Sequence, residues 1–262
     1  MNRREWLKSG VAAAALAGIS NSGVAVAQTA AKTRSYFLLR TYKLQSGPSI
    51  KLVNTYFSEA LLPALGRLGM GPVGVFNLTY GDATPQIYTL IPSNDVEKLA
   101  KLDLLLAQDA AFVSAAAPFL AAPATNPPFI SIRSRLSLAF EGFPQLVAPA
   151  KEPHIVQLRT YISPTIGAHE RKVEMFHQGE FRIFEEAGAR GVFYSDNLIG
   201  EDLPSLTYML AHKDLAAMDQ NWKNFMSHPD WKKLSANPRY ASEPTVTHVD
   251  NLVLTPTPYS QI

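Results

Sequence analysis

The tetrapeptide Leu-Arg-Thr-Tyr occurs twice, at Leu39–Tyr42 and at Leu158–Tyr161. Sliding the chain along itself by 158 − 39 = 119 residues brings further identities into line: Phe57 on Phe176, Gly69 on Gly188, Val73 on Val192, Gly81 on Gly200, Pro85 on Pro204 and Asp95 on Asp214. Most of these are residues that punctuate secondary structure. An internal period constrains a fold strongly, because both copies must adopt the same unit.

Each copy carries the same succession of patterns. A β-branched and aromatic run, Ser35 to Lys43 and again His154 to Ile162, predicts a strand. A helical period follows over 49–68 and 168–187, ending at Gly69 or Gly188, where the missing Cβ makes a left-handed cap easy. Second strands are expected near 72–80 and 191–198, and third strands near 86–91 and 205–211. The turns between them, Gly81–Pro85 and Gly200–Pro204, have hairpin chemistry. A second helix starts behind Asp95 or Asp214, with Asn94 an alternative cap. In the last strands, Leu136 and Leu138 are matched to Leu252 and Leu254. The order βαββαβ, twice, is an α+β arrangement of two ferredoxin-like units. They span 28–140 and 154–262, with the proline-rich 141–153 as linker. Such a unit puts both helices on one face of its sheet, so the other face must be covered. Packing the two units sheet to sheet does this within one chain.

The first 27 residues carry a different message. Arg3 and Arg4 precede an alanine-rich apolar run, Val11 to Ile19, and Ala25-Val26-Ala27 supplies a small-residue cleavage site before Gln28. The paired arginines, with Trp6, Leu7 and Lys8 behind them, resemble the twin-arginine export signal. That resemblance implies export in the folded state, to the periplasm or beyond. The run is too short to favour a membrane span, so none is expected after cleavage. Removing the signal leaves 24 − 3 = 21 basic and 22 − 1 = 21 acidic residues. A neutral mature chain has no electrostatic footprint for nucleic acid or an anionic membrane. The absence of cysteine excludes disulfides, thiolate nucleophiles and Cys-ligated metal or iron–sulfur sites.

The paired LRTY strands, the glycine after each first helix, and HPDWKKL (His228 to Leu234) late in the second copy together resemble the NIPSNAP family. The resemblance covers nearly the whole mature chain, once per copy. It is looser in the first, where Phe112 stands for Trp231 without a preceding His-Pro pair. It implies an intramolecular dimeric α/β-barrel, a group that includes cofactor-free monooxygenases and haem-degrading enzymes. Ligands of that group lie between a sheet and its helices. It implies no single chemistry.

The copies differ most where chemistry is concerned. All six histidines lie in the second, with Trp222 and Trp231. There His177 replaces Ser58, Glu180 replaces Leu61, Trp222 replaces Asp103 and His228 replaces Asp109. On the helix over 168–187, Val173, Phe176, Glu180, Phe184 and Ala187 form one stripe, with His177 and Phe181 at its edge. A carboxylate central in an apolar stripe needs a partner or a proton. Arg159 or solvent can supply the first. His177, three residues earlier, is a helix neighbour, and the two make a candidate acid–base pair.

Arg159, Tyr161, Phe176, Tyr208 and Trp222 complete the substrate-binding set. A structural role competes for several of them. LRTY persists in the first copy without a Glu180 counterpart, which fits a shared task at the seam between sheets. Aromatic residues such as Trp222 also serve as core.

The expected function is binding of a small, largely apolar molecule in the second copy, with cofactor-free oxygenase or proton-transfer chemistry. Glu180 or His177 would act as base, and Tyr208 or Arg159 would stabilise the anion. One alternative is a non-catalytic envelope interaction module, with an exposed apolar patch in place of a pocket. Another is haem binding with His177 as axial ligand. No other cofactor is expected, and a His177–Glu180 metal site lacks a third ligand. Pairing of two chains into a homodimer is a further option. Glu180→Leu is expected to leave stability unchanged or raise it.

Overall fold

Strand alternation builds the framework. In β1 (Tyr36–Lys43), Phe37 and Leu39 point to one side and Leu38 and Tyr42 to the other, and both sides are buried. The remaining strands are β2 (Gly74–Tyr80), β3 (Gln86–Ser93), β4 (Ser131–Ala139), β5 (Ile155–Ile162), β6 (Arg190–Ile199), β7 (Ser205–His212) and β8 (His248–Pro256). This computed structural model describes residues 33–262 except 46, 48, 81–83 and 242–244. The expected export signal and most of the Gly81–Pro85 turn lie outside the described residues.

All eight strands join in one closed antiparallel barrel, in the order β1-β3-β2-β8-β5-β7-β6-β4 and back to β1. Within it, β4-β1-β3-β2 and β8-β5-β7-β6 follow the same internal order, and the halves meet at β2–β8 and β4–β6. This revises the sheet-to-sheet arrangement. Two stacked open sheets would leave four edges with unpaired backbone groups, and closure pairs them all. Both seams contain a register shift, between Leu78 and Tyr80 and between Leu136 and Ser137. Such irregularities add the local bend that closure requires.

The helices lie outside the barrel. The first half carries α1 (Ser49–Thr55), a π turn (Tyr56–Leu61) and α2 (Leu62–Arg67), then α3 (Val96–Ala100), α4 (Leu102–Gln108) and α5 (Ala110–Leu120). The second carries α6 (Ile166–Met175), a π turn (Phe176–Glu180) and α7 (Phe181–Glu186), then α8 (Leu215–Ser227), α9 (Pro229–Ser235) and α10 (Pro238–Ala241). Asp95, not Asn94, caps α3, accepting from the amides of Glu97 and Lys98, and Asp214 caps α8 through Ala217. Each expected second helix is broken. Asp109 and His228, which align under the 119-residue shift, each end one helix and cap the next. Among the described residues no single helix is long and apolar enough to cross a membrane.

Three apolar cores result. Phe37, Leu39, Phe76, Phe193, Met209 and Leu254 fill the barrel. Tyr42, Phe57, Leu61 and Leu65 join the first half's helices to its outer wall. Phe176, Phe184, Tyr194, Tyr208 and Phe225 do the same in the second half. Residues 141–153 have no regular structure but are tied down: Ser35 N donates to Pro144 O at 2.8 Å and Val147 N to Val192 O at 2.9 Å.

The matching of the last strands also needs correction. Leu39 faces Arg135 across the β1–β4 pair, and Leu158 faces Leu252 across β5–β8. Arg135 is therefore the counterpart of Leu252. A shift of one residue exchanges the faces of a strand, and Leu136 packs outward with the first half's helices while Leu252 packs inside the barrel.

Candidate functional site

The site lies between the outer wall of the second half and the helix formed by α6, its π turn and α7. Arg159 on β5 is paired in register with Tyr208 on β7. Tyr161 lies two residues further along β5, on the same face. The Tyr161 and Tyr208 hydroxyls share a hydrogen bond of 2.7 Å, and Arg159 Nη2 donates to the Tyr161 hydroxyl at 3.2 Å. Tyr208 is fully buried, and burial first, then Tyr161, pushes its phenol well above its ordinary pKa. It is a neutral hydroxyl. Burial opposes the charge on Arg159, but the two phenols outweigh it and its pKa is raised.

The π turn presents Glu180 to this wall. The i→i+5 turn advances less per residue than an α-helix, and Gly179 departs from helical backbone at φ 166°, ψ −18°. Glu180 is 1% exposed, as expected of its place in the stripe. Its partner is Lys172, itself only 5% exposed, and not Arg159. The Lys172 ammonium also lies over three rings, 4.9 Å from Phe176, 5.4 Å from Tyr161 and 5.8 Å from Trp231. Burial raises the Glu180 pKa above the usual carboxylate range despite the opposing pull of Lys172. Under the 119-residue shift this ion pair occupies the places of Val53 and Leu61, both core residues.

His177 is placed elsewhere. It is exposed, with Nδ1 2.9 Å from Val173 O and Nε2 accepting from Gly142 N at 3.2 Å. A carbonyl can only accept, so Nδ1 carries the proton. Nδ1 is thus tied to its own helix and Nε2 to the 141–153 segment. The i, i+3 neighbourhood expected with Glu180 fails because the π turn rotates the two side chains apart. Among the described residues no group of three or more His, Asp or Glu could hold a metal ion.

Trp222 explains what becomes of Arg159. In the first half Arg40 is chelated by Asp103, with 2.7 and 2.9 Å hydrogen bonds. Trp222 replaces that aspartate, and its ring lies 4.6 Å from the Arg159 guanidinium carbon. Its Nε1 donates to Gln157 Oε1 at 2.8 Å. Among the described residues Arg159 makes no ion pair, and its Nε is buried without a partner. The cluster of Arg159, Lys172 and Glu180 thus carries one more positive than negative charge. Phe176 packs edge-on to Tyr208 at 5.3 Å, and Tyr194 stacks on Tyr208 at 5.6 Å with its hydroxyl buried and unpartnered.

The structure brings together Glu180, Arg159, Tyr161, Phe176, Tyr208 and Trp222, and separates His177 from them. Lys172 was missed from the sequence, although the shift that exposed Glu180 over Leu61 also sets Lys172 over Val53. The cluster is tightly closed. A groove of 380 Å³ runs past Gly179, Ile183 and Leu234, and another of 430 Å³ lies beside Glu185 and Arg190. Neither is lined by Arg159, Tyr208 or Glu180, although the first reaches the residue next to Glu180.

Residues 156–261 match the family model of NIPSNAP. The match covers the half that holds the Lys172–Glu180 pair. A presumed monooxygenase from Lactobacillus acidophilus superposes with a TM-score of 0.55 at 8% identity, over 85% of this chain and 94% of its own. A presumed monooxygenase from Fusobacterium nucleatum gives 0.55 at 8%, over 86% and 93%. At this identity the likeness is one of fold. A NIPSNAP-like domain protein from Burkholderia xenovorans aligns at 20% identity over 42% of this chain and 90% of its own, with a TM-score of 0.37. No curated protein matches the chain.

Proposed function

We propose that the chain is a tandem pair of NIPSNAP-like units, exported by the twin-arginine route, whose second unit binds a small, largely apolar molecule and moves a proton on it. The observation that carries this reading is the buried Lys172–Glu180 pair, which stands where the first half has Val53 and Leu61. A buried ion pair is often no more stabilising than apolar residues of the same size. Its presence in one of two equivalent cores therefore suits chemistry better than packing.

The roles follow from the contacts. Glu180, its pKa raised by burial, accepts a proton from the bound molecule, and Lys172 holds the carboxylate in place. The electron pair left on the substrate is stabilised by the surplus charge of Arg159 and the neutral hydroxyls of Tyr208 and Tyr161. With dioxygen as co-substrate the reaction is a cofactor-free oxygenation, which the monooxygenase-type fold suits. The substrate carbanion bonds to one oxygen, and the peroxide takes back the proton from Glu180. Loss of water across the O–O bond then turns the CH2 carbon into a carbonyl, so that both electrons that reduce the second oxygen come from the substrate. Trp222, Trp231 and Arg159 are the half-buried members of the cluster and form its approach from solvent.

Native mass spectrometry of the mature protein tests this beside the Lys172→Val/Glu180→Leu double variant. An adduct on the wild type that is lost in the double variant supports the reading. An adduct retained at equal occupancy in both removes the cluster from ligand binding. Bare protein in both turns the balance to the interaction-module alternative.

A further inference from the structure

α5 departs from the pattern of a surface helix. Such a helix turns an apolar stripe to the core and charged residues to solvent. In α5, Phe112, Ala116 and Phe119 form the inward stripe and are buried. The outward side carries no charge. Val113 is 41% and Leu120 55% exposed, and Ala110, Ser114, Ala117 and Ala121 lie beside them at helical spacing, all exposed. No charged residue occurs anywhere between Asp109 and Arg133. A helix that is apolar all round belongs in an interior, yet the outer side of this one meets solvent in the single chain.

The second half shows that the fold does not require this. Under the 119-residue shift Ala111, Val113 and Ser114 align with Asp230, Lys232 and Lys233 on α9. Leu104 on α4, 65% exposed, aligns with Lys223 on α8. All three of those lysines are exposed. The same helix layer therefore presents an ordinary charged surface in one half and an uncharged one in the other. Depletion of charge from an exposed apolar face is the mark of a surface that another molecule covers.

The chemistry of the face selects the occupant. Helices that lie on membranes carry many Lys and Arg and set Trp or Phe into the lipid. α5 has no cation, and both of its phenylalanines point inward. α4 and α5 also bend by 106° against each other, so they do not make one straight span. A face without charge is instead complementary to itself. The charged groups on α4 and at the start of α5 are neutralised within the chain: Arg40 lies 2.7 Å from Asp103, and Arg67 2.6 Å from Asp109. A two-fold axis beside α5 thus sets no unbalanced charge against its own copy, and the alanines let two helix backbones approach closely. We infer that the outer face of α5 is the interface of a two-fold symmetric dimer with a second copy of this chain. This interface lies on the first half and does not depend on the reading of the Glu180 cluster.

Sedimentation velocity and light scattering on the mature protein test it. At about 100 μM, above the micromolar end of the range for specific interfaces, the mass should be twice that of one chain. Val113→Lys installs the residue of the second half, and Leu120→Lys sets like charges against each other across the axis. Each should weaken pairing by at least about a hundredfold. Both sites are exposed in the single chain, so the folded monomer should keep its circular dichroism, and either variant serves if the other fails to fold. Ile166→Lys, at a 69% exposed position on α6, should leave the dimer intact, as should Lys172→Val/Glu180→Leu. A monomeric wild type at that concentration overturns the inference, and so does a dimer that survives both α5 variants. A monomer that binds phosphatidylcholine vesicles and loses them on Val113→Lys gives the face to lipid and overturns it too.

Discussion

Removing Lys172 and Glu180 one at a time and together measures what the buried pair does to the fold. Lys172→Val leaves a carboxylate at 1% exposure with no cation in contact. Stranding one member of a buried pair costs about 3–5 kcal/mol. At about 2–4 °C per kcal/mol for a domain of this size, the melting temperature falls by roughly 6–20 °C. Glu180→Leu strands the ammonium instead. The Phe176, Tyr161 and Trp231 rings retain part of its stabilisation, about 0.5–2 kcal/mol on the scale of cation–π contacts. The net loss is about 1–4.5 kcal/mol. This reverses the sequence expectation for Glu180→Leu, which took no account of Lys172. The double variant restores the first half's residues and should equal the wild type or exceed it by about 1–4 kcal/mol.

Denaturant unfolding at pH 7 supplies the four free energies of the cycle, and a coupling of at least about 3 kcal/mol is expected. A second signature is the pH dependence. Burial raises the folded-state pKa of Glu180 above its reference of 4.5. Its favourable contribution is thus complete below that reference and is lost as pH rises through the raised value. Without Lys172 that window widens, so Lys172→Val should be much less destabilised at pH 4.5 than at pH 7. If Lys172→Val lies within about 1 kcal/mol of the wild type at pH 7, or the single effects simply add, the pair is not the buried unit described here.

His212 is 3% exposed and burial lowers its pKa from 6.5 to about 4, so its contribution is complete above 6.5 and lost as pH falls through 4. Thermal melts from pH 7 to 4 should show His212→Gln losing less stability than the wild type, by about 2–3 kcal/mol over that range. Tyr194→Phe removes a buried hydroxyl without a partner, and should raise stability by up to about 1 kcal/mol in denaturant unfolding. A loss of stability would reveal a bond to that hydroxyl. His177→Ala deletes two bonds to backbone, at Val173 and Gly142. It should cost about 1–2 kcal/mol, with ligand retention in native mass spectra unchanged. Lost ligand would return His177 to the site.

Strand and helix positions were legible because each rests on local rules. The β-branched and aromatic run in Ser35–Lys43, the glycine after each first helix and the Asp95 and Asp214 caps need no knowledge of the rest of the chain. The barrel's closure was not legible. It depends on edge pairing between β2 and β8 and between β4 and β6, partners up to 180 residues apart with no local mark. The pairing of Leu136 with Leu252 failed for a related reason: identity of residue type misled where register decides which face a side chain takes. At the site, Glu180 was legible as a charge in an apolar stripe. The exposure of His177 was not, because a helical wheel assumes 100° per residue and the π turn departs from it locally. Lys172 was legible in principle, since a charge aligned with Val53 is the same kind of anomaly as one aligned with Leu61.

The two halves act as each other's control. Where they agree, as at Arg40 and Arg159 or Tyr42 and Tyr161, the residue serves the wall between strand and helix in both. Where they differ at buried positions, the differences converge. Lys172 against Val53, Glu180 against Leu61, Tyr208 against Thr89 and Trp222 against Asp103 all meet on one patch of the second half's outer wall. The barrel interior shows the opposite polarity, with Arg135 in the first half against Leu252 in the second. A chain with two independent domains would pay for each buried charge out of one small core. A closed barrel does not: β2–β8 and β4–β6 join both halves to one shared interior. The apolar helix layer of the first half and that interior can hold the fold while the second half keeps charged residues in its own helix layer. That division is consistent with a chain that carries the LRTY strand twice and the ionisable cluster only once.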